Sequence, residues 1–551
     1  MRLDIIFIHL YWLDYKYRPT RVSQNPTTAP SYHPKPSMDI LTIVQQWPIT
    51  TALVIFSIFY IFLQTLKSSN SSITNSSLPP CPPKLPVIGN LHHILGKPRH
   101  EALWQLSKEY GPVMRIYIGS KLFIIISSPA MAKEILKTQD HVFCSRESFK
   151  ATKRLTYNFL DIAFSPHNTH WREMRKLLVT EFIGPKRAKL SSHVLVTEIE
   201  SIINDLSSYS PNTEVNLSNM FMEIVKQMVC KVAFGEKYRR QPVKGPSWDV
   251  MLEEAMELLN GSVGDSFPIL GFFIDQFSGW NRRLNDGFRN LDGYIDALVD
   301  DHLKHDSGDM SEEDKDFIHT ILDMSKQNAS GYQPNHADLK ALVMDILTGG
   351  IDTTVVTLIW AMSEINKNTR VMRKLQSEIR TCAGKIQKVS ELDTTNMTYL
   401  KMVVKETLRL HTPAPLLVPH VSISQTQLAG YDISSSTVVL INAWGIARDP
   451  CTWGENAAEF YPERFENVDG DFGRDRFEMM PFGGGRRSCP AMNTAPTNVE
   501  FVLAAFLYWF DWELPGGMKC EELNMENGGT LVLGKKVPLC LVPKKHNWED
   551  D

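Results

Sequence analysis

Three consecutive glycines that lead into a cysteine constrain this chain more than any other feature: Pro481-Phe-Gly-Gly-Gly-Arg-Arg-Ser-Cys-Pro490. Glycine reaches positive φ without a side-chain clash, so the run predicts a tight turn whose N–H groups converge on the Cys489 sulfur. Such a pocket stabilises a thiolate. Pro490 fits the first position of an apolar helix running from about Asn498 or earlier through Trp509, although Pro496 complicates its start. A helix N-terminus beside Cys489 would lower its pKa further and favour iron ligation. The rival reading, a phosphate-binding glycine loop, lacks the Gly-Lys-Ser/Thr ending and the following acid.

The rest of the chain must supply a body to hold that loop. With 551 residues, 43% hydrophobic and 22% charged, it can bury a large core. No long low-complexity linker follows Pro83, which argues for one large domain. A net charge of −4 gives no overall basic field and sets nucleic-acid binding aside. The eight cysteines are scattered, with no CxxC pair and no close Cys/His cluster, which argues against a zinc site or a dense disulfide scaffold and suits a reducing compartment. An isolated cysteine usually behaves as an inert small hydrophobe, so any claim for Cys489 rests on its surroundings.

Ile40 to Leu66 carries no charged side chain, and Pro48 to Leu66 is about one bilayer long as a helix. This predicts a single uncleaved membrane span, because no small-residue cleavage site closes it before Lys67. The Ser/Asn-rich stretch that follows ends in Leu78-Pro-Pro-Cys-Pro-Pro83, a stiff spacer. The resulting division is residues 1–37 as an atypical extension, 38–66 as anchor, 67–83 as linker and 84–551 as catalytic domain. Arg2, Lys16, Arg18, Arg21 and Lys35 before the span would pull the N-terminus into the cytosol. A start at Met38 leaves only Asp39 there and puts the body in the cytosol, where Asn70 and Asn75 stay unglycosylated.

Beyond the anchor the pattern is mainly α with small β-sheets, the strand-like runs being Val113 to Ile118, Leu122 to Ile126 and Thr437 to Asn442. The longest helix opens at Asn335, an N-cap with Asp338 three residues on, and extends to about Asn366. Inside it lies Thr348-Gly-Gly-Ile-Asp-Thr-Thr354. Each interior glycine costs roughly 1 kcal/mol relative to Ala. Two explanations stay open: the glycines let a flat cofactor and a small ligand approach the backbone, or they end one helix and Asp352 caps the next. A further helix, Tyr399 to Leu410, carries Glu406 and Arg409 at i, i+3. Alone that spacing describes an ordinary solvated pair; Arg464 in Tyr-Pro-Glu-Arg-Phe465 is positioned in sequence to complete a buried network with it.

Taken together these motifs resemble the cytochrome P-450 family, in particular the plant microsomal A-type group. The resemblance extends from Met38 to the C-terminus. The haem loop, Phe-x-x-Gly-x-Arg-x-Cys-x-Gly, falls on Phe482, Gly485, Arg487 and Cys489, with Ala491 in place of the closing glycine. The Glu-x-x-Arg pair falls on Glu406 and Arg409 with Arg464 as third member of the triad, and the oxygen-activation motif on Gly349 to Thr354. By the same resemblance Trp171, Arg175 and Arg487 reach haem propionates, and His420 stands where arginine is usual, which weakens that contact or makes it pH-dependent.

The resemblance implies a cytochrome P-450 fold holding haem b, with Cys489 as the iron ligand and Asp352 and Thr353 delivering protons. It implies insertion of one atom of O2 into a lipophilic plant metabolite, such as a terpenoid, phenolic or alkaloid precursor. No flavin or nicotinamide fingerprint occurs here, so NADPH and flavins act through a separate reductase in the same endoplasmic reticulum membrane, with the catalytic domain facing the cytosol. Lys153, Arg154, Arg172, Lys176, Lys186 and Arg187 are candidates for its docking surface. Segments 149–164, 342–349, 414–418 and 531–533 are implied to line the substrate pocket. Two other classes are a haem-thiolate isomerase or dehydratase, which needs no reductase, and a non-catalytic membrane haem-binding protein.

Overall fold

The computed structural model describes residues 77–240, 248–304, 315–327, 332–385, 391–468, 470, 472–529 and 531–548. The extension, the anchor and most of the linker lie outside the described residues. The proline-rich end of the linker packs on the body: the Pro80 carbonyl accepts from the Arg115 N–H at 2.8 Å, and Asn90 donates to the Pro82 and Pro83 carbonyls at 2.9 and 3.1 Å. A spacer reaching to Pro83 is therefore too long by several residues.

Helices dominate. The largest core cluster gathers the helices Pro185–Ser207, Leu217–Phe234, Trp280–Lys304, Thr398–Leu410 and Thr494–Trp509 around the run from His336 to Lys367. That run is long and apolar enough to cross a membrane, yet most of it is buried in the body. Its start follows the expected chemistry: the Asn335 side chain accepts from the Ala337 and Asp338 N–H groups at 2.8 and 3.0 Å, and Asp338 returns the bond to the Asn335 N–H at 2.9 Å. It is not one unbroken helix. His336–Gly350 and Asp352–Lys367 meet at Ile351, and no side chain caps the second. The glycines mark a break in the ladder without an Asp352 cap.

A five-stranded sheet forms the second layer. Its strands are β1 (Val113–Ile118), β2 (Lys121–Ile126), β3 (Ser145–Arg146), β4 (His420–Val421) and β5 (Val438–Ile441), in the order β1-β2-β5-β4-β3. The β-branched runs read from sequence supply β1, β2 and β5; β5 lies parallel to β2 with Ile124 opposite Val439. The two-residue strands β3 and β4 pair Arg146 with His420.

Candidate active site

The glycine run builds the cysteine loop as its conformational freedom requires. Gly483 and Gly485 sit at φ 65° and 63°, and a Cβ on Gly485 would strike the Leu136 carbonyl. The Cys489 N–H donates to the Phe482 carbonyl at 2.9 Å, closing the loop. Ala491 keeps a negative φ, so its backbone does not demand the glycine it replaces.

Two expectations for this loop need correction. Pro490 is not at a helix start: residues 490–493 form turns, and the helix begins at Thr494 with Pro496 in its first turn. A proline that near the start is tolerated because the first N–H groups of a helix have no intrahelical partner. Nor is the thiol lowered overall. Burial pushes the Cys489 thiol up, against the opposing pull of the Ala491 N–H and the Arg175 guanidinium.

Glu406 and Arg409 are both fully buried, far from the solvated pair that spacing alone describes. Arg409 grips the carboxylate with Nε and a terminal nitrogen at 2.7 and 2.8 Å, and donates to the Ala447 and Ala457 carbonyls at 2.7 Å each. Arg464 joins the same carboxylate through Nε at 2.8 Å, and the Tyr461 N–H reaches it at 2.9 Å. One carboxylate thus fastens the helix Thr398–Leu410 to the segment 447–464 that precedes the cysteine loop.

Beside Cys489 lies a cluster of cations, Arg487 buried and Arg146 and Arg175 half-buried. The helix Thr169–Leu177 presents Trp171 and Arg175, and Arg175 donates to the Ser488 carbonyl at 2.7 Å. The Arg487 guanidinium lies over the Trp171 ring, 4.2 Å from its centroid, and donates to the carbonyls of Cys144, Ile162 and Ser165. Arg146, which no sequence motif singled out, donates to the carbonyls of Ala163, Val418 and Pro419. Burial lowers the pKa of all three arginines, and that of Arg487 to about 10; Arg146, Arg175 and Arg487 also repel one another, Asp161 opposing this at Arg146 and Arg487 and the Cys489 thiol at Arg175. Three guanidiniums with Asp161 opposing two of them leave a positive excess, which suits a ligand bearing two carboxylates. The two propionates of haem b match that donor set.

His420 belongs to the same cluster. Its Nδ1 lies 2.8 Å from the Phe143 carbonyl, while burial and neighbouring Arg146 hold the imidazole well below its usual range. A carbonyl can only accept, so Nδ1 carries the hydrogen of that contact.

On the other side of segment 161–165, Asp345 in the helix His336–Gly350 accepts from the Ile162 N–H at 2.6 Å. Burial, with Asp161 nearby, pushes the Asp345 carboxyl well up. The segment is thus fastened to both the arginine cluster and the long helix. About two turns on, past the break at Ile351, the Thr353 hydroxyl donates to the Gly349 carbonyl at 2.8 Å and Thr354 to that of Gly350 at 2.9 Å. Both hydroxyls are thus bonded back at i−4 beside the broken ladder. Strand-free segments meet there too: the Leu533 N–H bonds the Pro413 carbonyl at 2.9 Å and its carbonyl accepts from Trp360 at 2.9 Å.

Among the six basic residues proposed for docking, Arg187 is removed. Its side chain is buried and bonded to the Lys315 carbonyl and to Thr320. Lys153, Arg154, Arg172, Lys176 and Lys186 are exposed.

The sequence model of the cytochrome P450 family matches residues 79–541, nearly the whole described body. This chain belongs to the cytochrome P450 family. It is 49% identical over 509 residues to parthenolide synthase of Tanacetum parthenium, covering 92% of this chain and 100% of that one. It is 44% identical to eupatolide synthase of Helianthus annuus over 93% of this chain and 100% of the relative, and 42% identical to cytochrome P450 71B10 of Arabidopsis thaliana over 85% and 93%. This P450 is accordingly a plant A-type haem-thiolate monooxygenase, an oxidoreductase of secondary metabolism.

Proposed function

We propose that this P450 inserts one oxygen atom into a lipophilic terpenoid, using NADPH through a separate flavoprotein reductase in the endoplasmic reticulum membrane. The observation that carries the terpenoid reading is the likeness, over their whole length, to two relatives named for the synthesis of parthenolide and eupatolide. Haem bound through the Cys489 thiolate would supply reductive activation of dioxygen, the thiolate pushing electron density to the iron.

The chain's own residues do the remaining work. Arg146, Arg175, Trp171 and Arg487 hold the propionate side, and Phe482 closes the loop over the ligand cysteine. Glu406, Arg409 and Arg464 keep that loop's approach segment in place. Thr353 moves a proton on the distal face, and Asp352 recruits protons from solvent. Electron entry fits the cysteine-loop side, where a cleft of about 240 Å³ is lined by Lys137, Arg474, Gly485 and Ser488. Membrane association is supported by the short helix Pro268–Phe277, whose Ile269 and Phe277 are 83% and 84% exposed although both are large and apolar.

Co-expressing the chain with a plant reductase and feeding a terpenoid panel tests the reading. The expected result is an NADPH-dependent product heavier by one oxygen from at least one terpenoid. Turnover confined to phenolic or alkaloid substrates would overturn the substrate class. Product from a hydroperoxide without NADPH would mark an isomerase or dehydratase.

A further inference from the structure

Far along the chain from the cysteine loop, three helix ends meet at a buried group that the monooxygenase reaction does not use. His302 lies in the last turn of the helix Trp280–Lys304; Asp316 precedes the helix Phe317–Gln327, which carries His319 in its first turn. All three are buried, at 5%, 4% and 8% exposure. The carbonyl of Phe234, last residue of the helix Leu217–Phe234, faces the same point.

The atoms that converge can each serve as a ligand once the ring protons between them are released. Asp316 Oδ2 is 3.1 Å from His302 Nε2 and 2.7 Å from His319 Nδ1, and His302 Nε2 is 3.1 Å from the Phe234 carbonyl. One ligand atom from each of the three side chains lies within 4.8 Å of the others. Outer contacts aim them. His302 Nδ1 is 2.6 Å from the Leu298 carbonyl, so that nitrogen carries hydrogen and Nε2 points inward, the usual second contact of a metal-binding imidazole. The His319 N–H donates to Asp316 Oδ1 at 2.9 Å, which turns Oδ2 towards both rings. Gly235 follows Phe234 at φ +89°, and a Cβ there would lie 2.9 Å from Asp316 Oδ2, so glycine keeps the approach open. His319 Nε2 is buried without a hydrogen-bond partner.

We propose that His302, Asp316 and His319, with the Phe234 carbonyl beside them, form a second metal site in this P450, one that takes zinc or a similar borderline divalent ion. Protons on the rings can occupy the same point, and metal entry displaces them: the His302 Nε2 proton leaves to solvent, and the His319 proton moves from Nδ1 to the unpartnered Nε2. Two imidazoles and a carboxylate are a zinc donor set, and hard oxygen-preferring ions such as Mg²⁺ are disfavoured by the two nitrogens. The ion would tie the ends of three helices together and so stabilise the body without touching the haem reaction.

The haem-loaded full chain in lipid nanodiscs, stripped with EDTA, titrated with zinc chloride and passed through a desalting column, gives the test. We expect about one zinc retained per haem, a rise of several degrees in the thermal midpoint, and a zinc K-edge absorption spectrum of nitrogen and oxygen ligands with imidazole scattering. His319→Ala and Asp316→Asn should each retain zinc at least tenfold more weakly while keeping the haem spectrum. Retention of less than about a tenth of a zinc per haem by the wild-type protein would overturn the site, and that result needs no variant to fold. Equal retention by the wild type and both variants would overturn it as well.

Discussion

Arg146 lies directly opposite His420 in the register between the two-residue strands β3 and β4. The position where the family usually has arginine thus holds an imidazole, and a guanidinium faces it from across the strand pair. We predict that Arg146→Ala loses haem at least tenfold faster than the wild type, since charge-assisted hydrogen bonds are worth roughly 1.5 to 3 kcal/mol. His420→Ala should lose it only slightly faster. Haem transfer to apomyoglobin measures both rates; equal rates in the two variants would remove Arg146 from the haem site.

The Glu406 carboxylate serves Arg409, Arg464 and the Tyr461 N–H at once. Glu406→Ala leaves two guanidiniums, one fully buried, without their anion, at a cost of roughly 3 to 5 kcal/mol. The expected outcome is protein that fails to incorporate haem. Normal haem content and an unchanged thermal midpoint would show the triad to be dispensable.

Thr353→Ala removes the hydroxyl that bonds the Gly349 carbonyl and leaves every haem contact in place. Haem content, substrate binding and the carbon-monoxide spectrum should persist. NADPH consumption should continue while product falls and hydrogen peroxide rises. Full product yield per NADPH would return the Gly-Gly-Ile-Asp-Thr segment to a purely structural break.

Glu500, on the helix after the cysteine loop, is pushed up by burial from 4.5 to about 7, with Lys401 and Lys405 opposing. A carboxyl raised in the folded state costs nothing below its unfolded pKa, and the cost grows as pH rises from 4.5 to about 7, remaining complete above that. Glu500→Gln should therefore stabilise the protein at pH 8, by about 1 to 3 kcal/mol, and have little effect near pH 4.5. Thermal unfolding at the two pH values checks it; a gain equal at both would mean that packing, not ionisation, is responsible.

Much of this arrangement was legible in the sequence. Glycine spacing, the Asn335 cap and the β-branched runs act locally, so their patterns predict what the fold contains; the Glu406–Arg409 interval does not, because its burial depends on Arg464 and the segment around it. The remainder depends on distant pairings. Arg146 is one arginine among many until β3 places it against β4, and Asp345 reads as an interior helix acid until Ile162 donates to it. His302 and His319 fall on separate helices with Asp316 between, a spacing that matches no metal motif. Pro490 was misplaced because a proline fits a turn as well as a helix start.

The central claim is that Cys489 holds the iron, and reducing the protein under carbon monoxide tests it most directly. The wild type should give the red-shifted difference band of a thiolate-ligated haem, and Cys489→Ala should lose that band even where haem is still bound, because no other soft ligand lies in the loop. Retention of the band by Cys489→Ala would contradict the account.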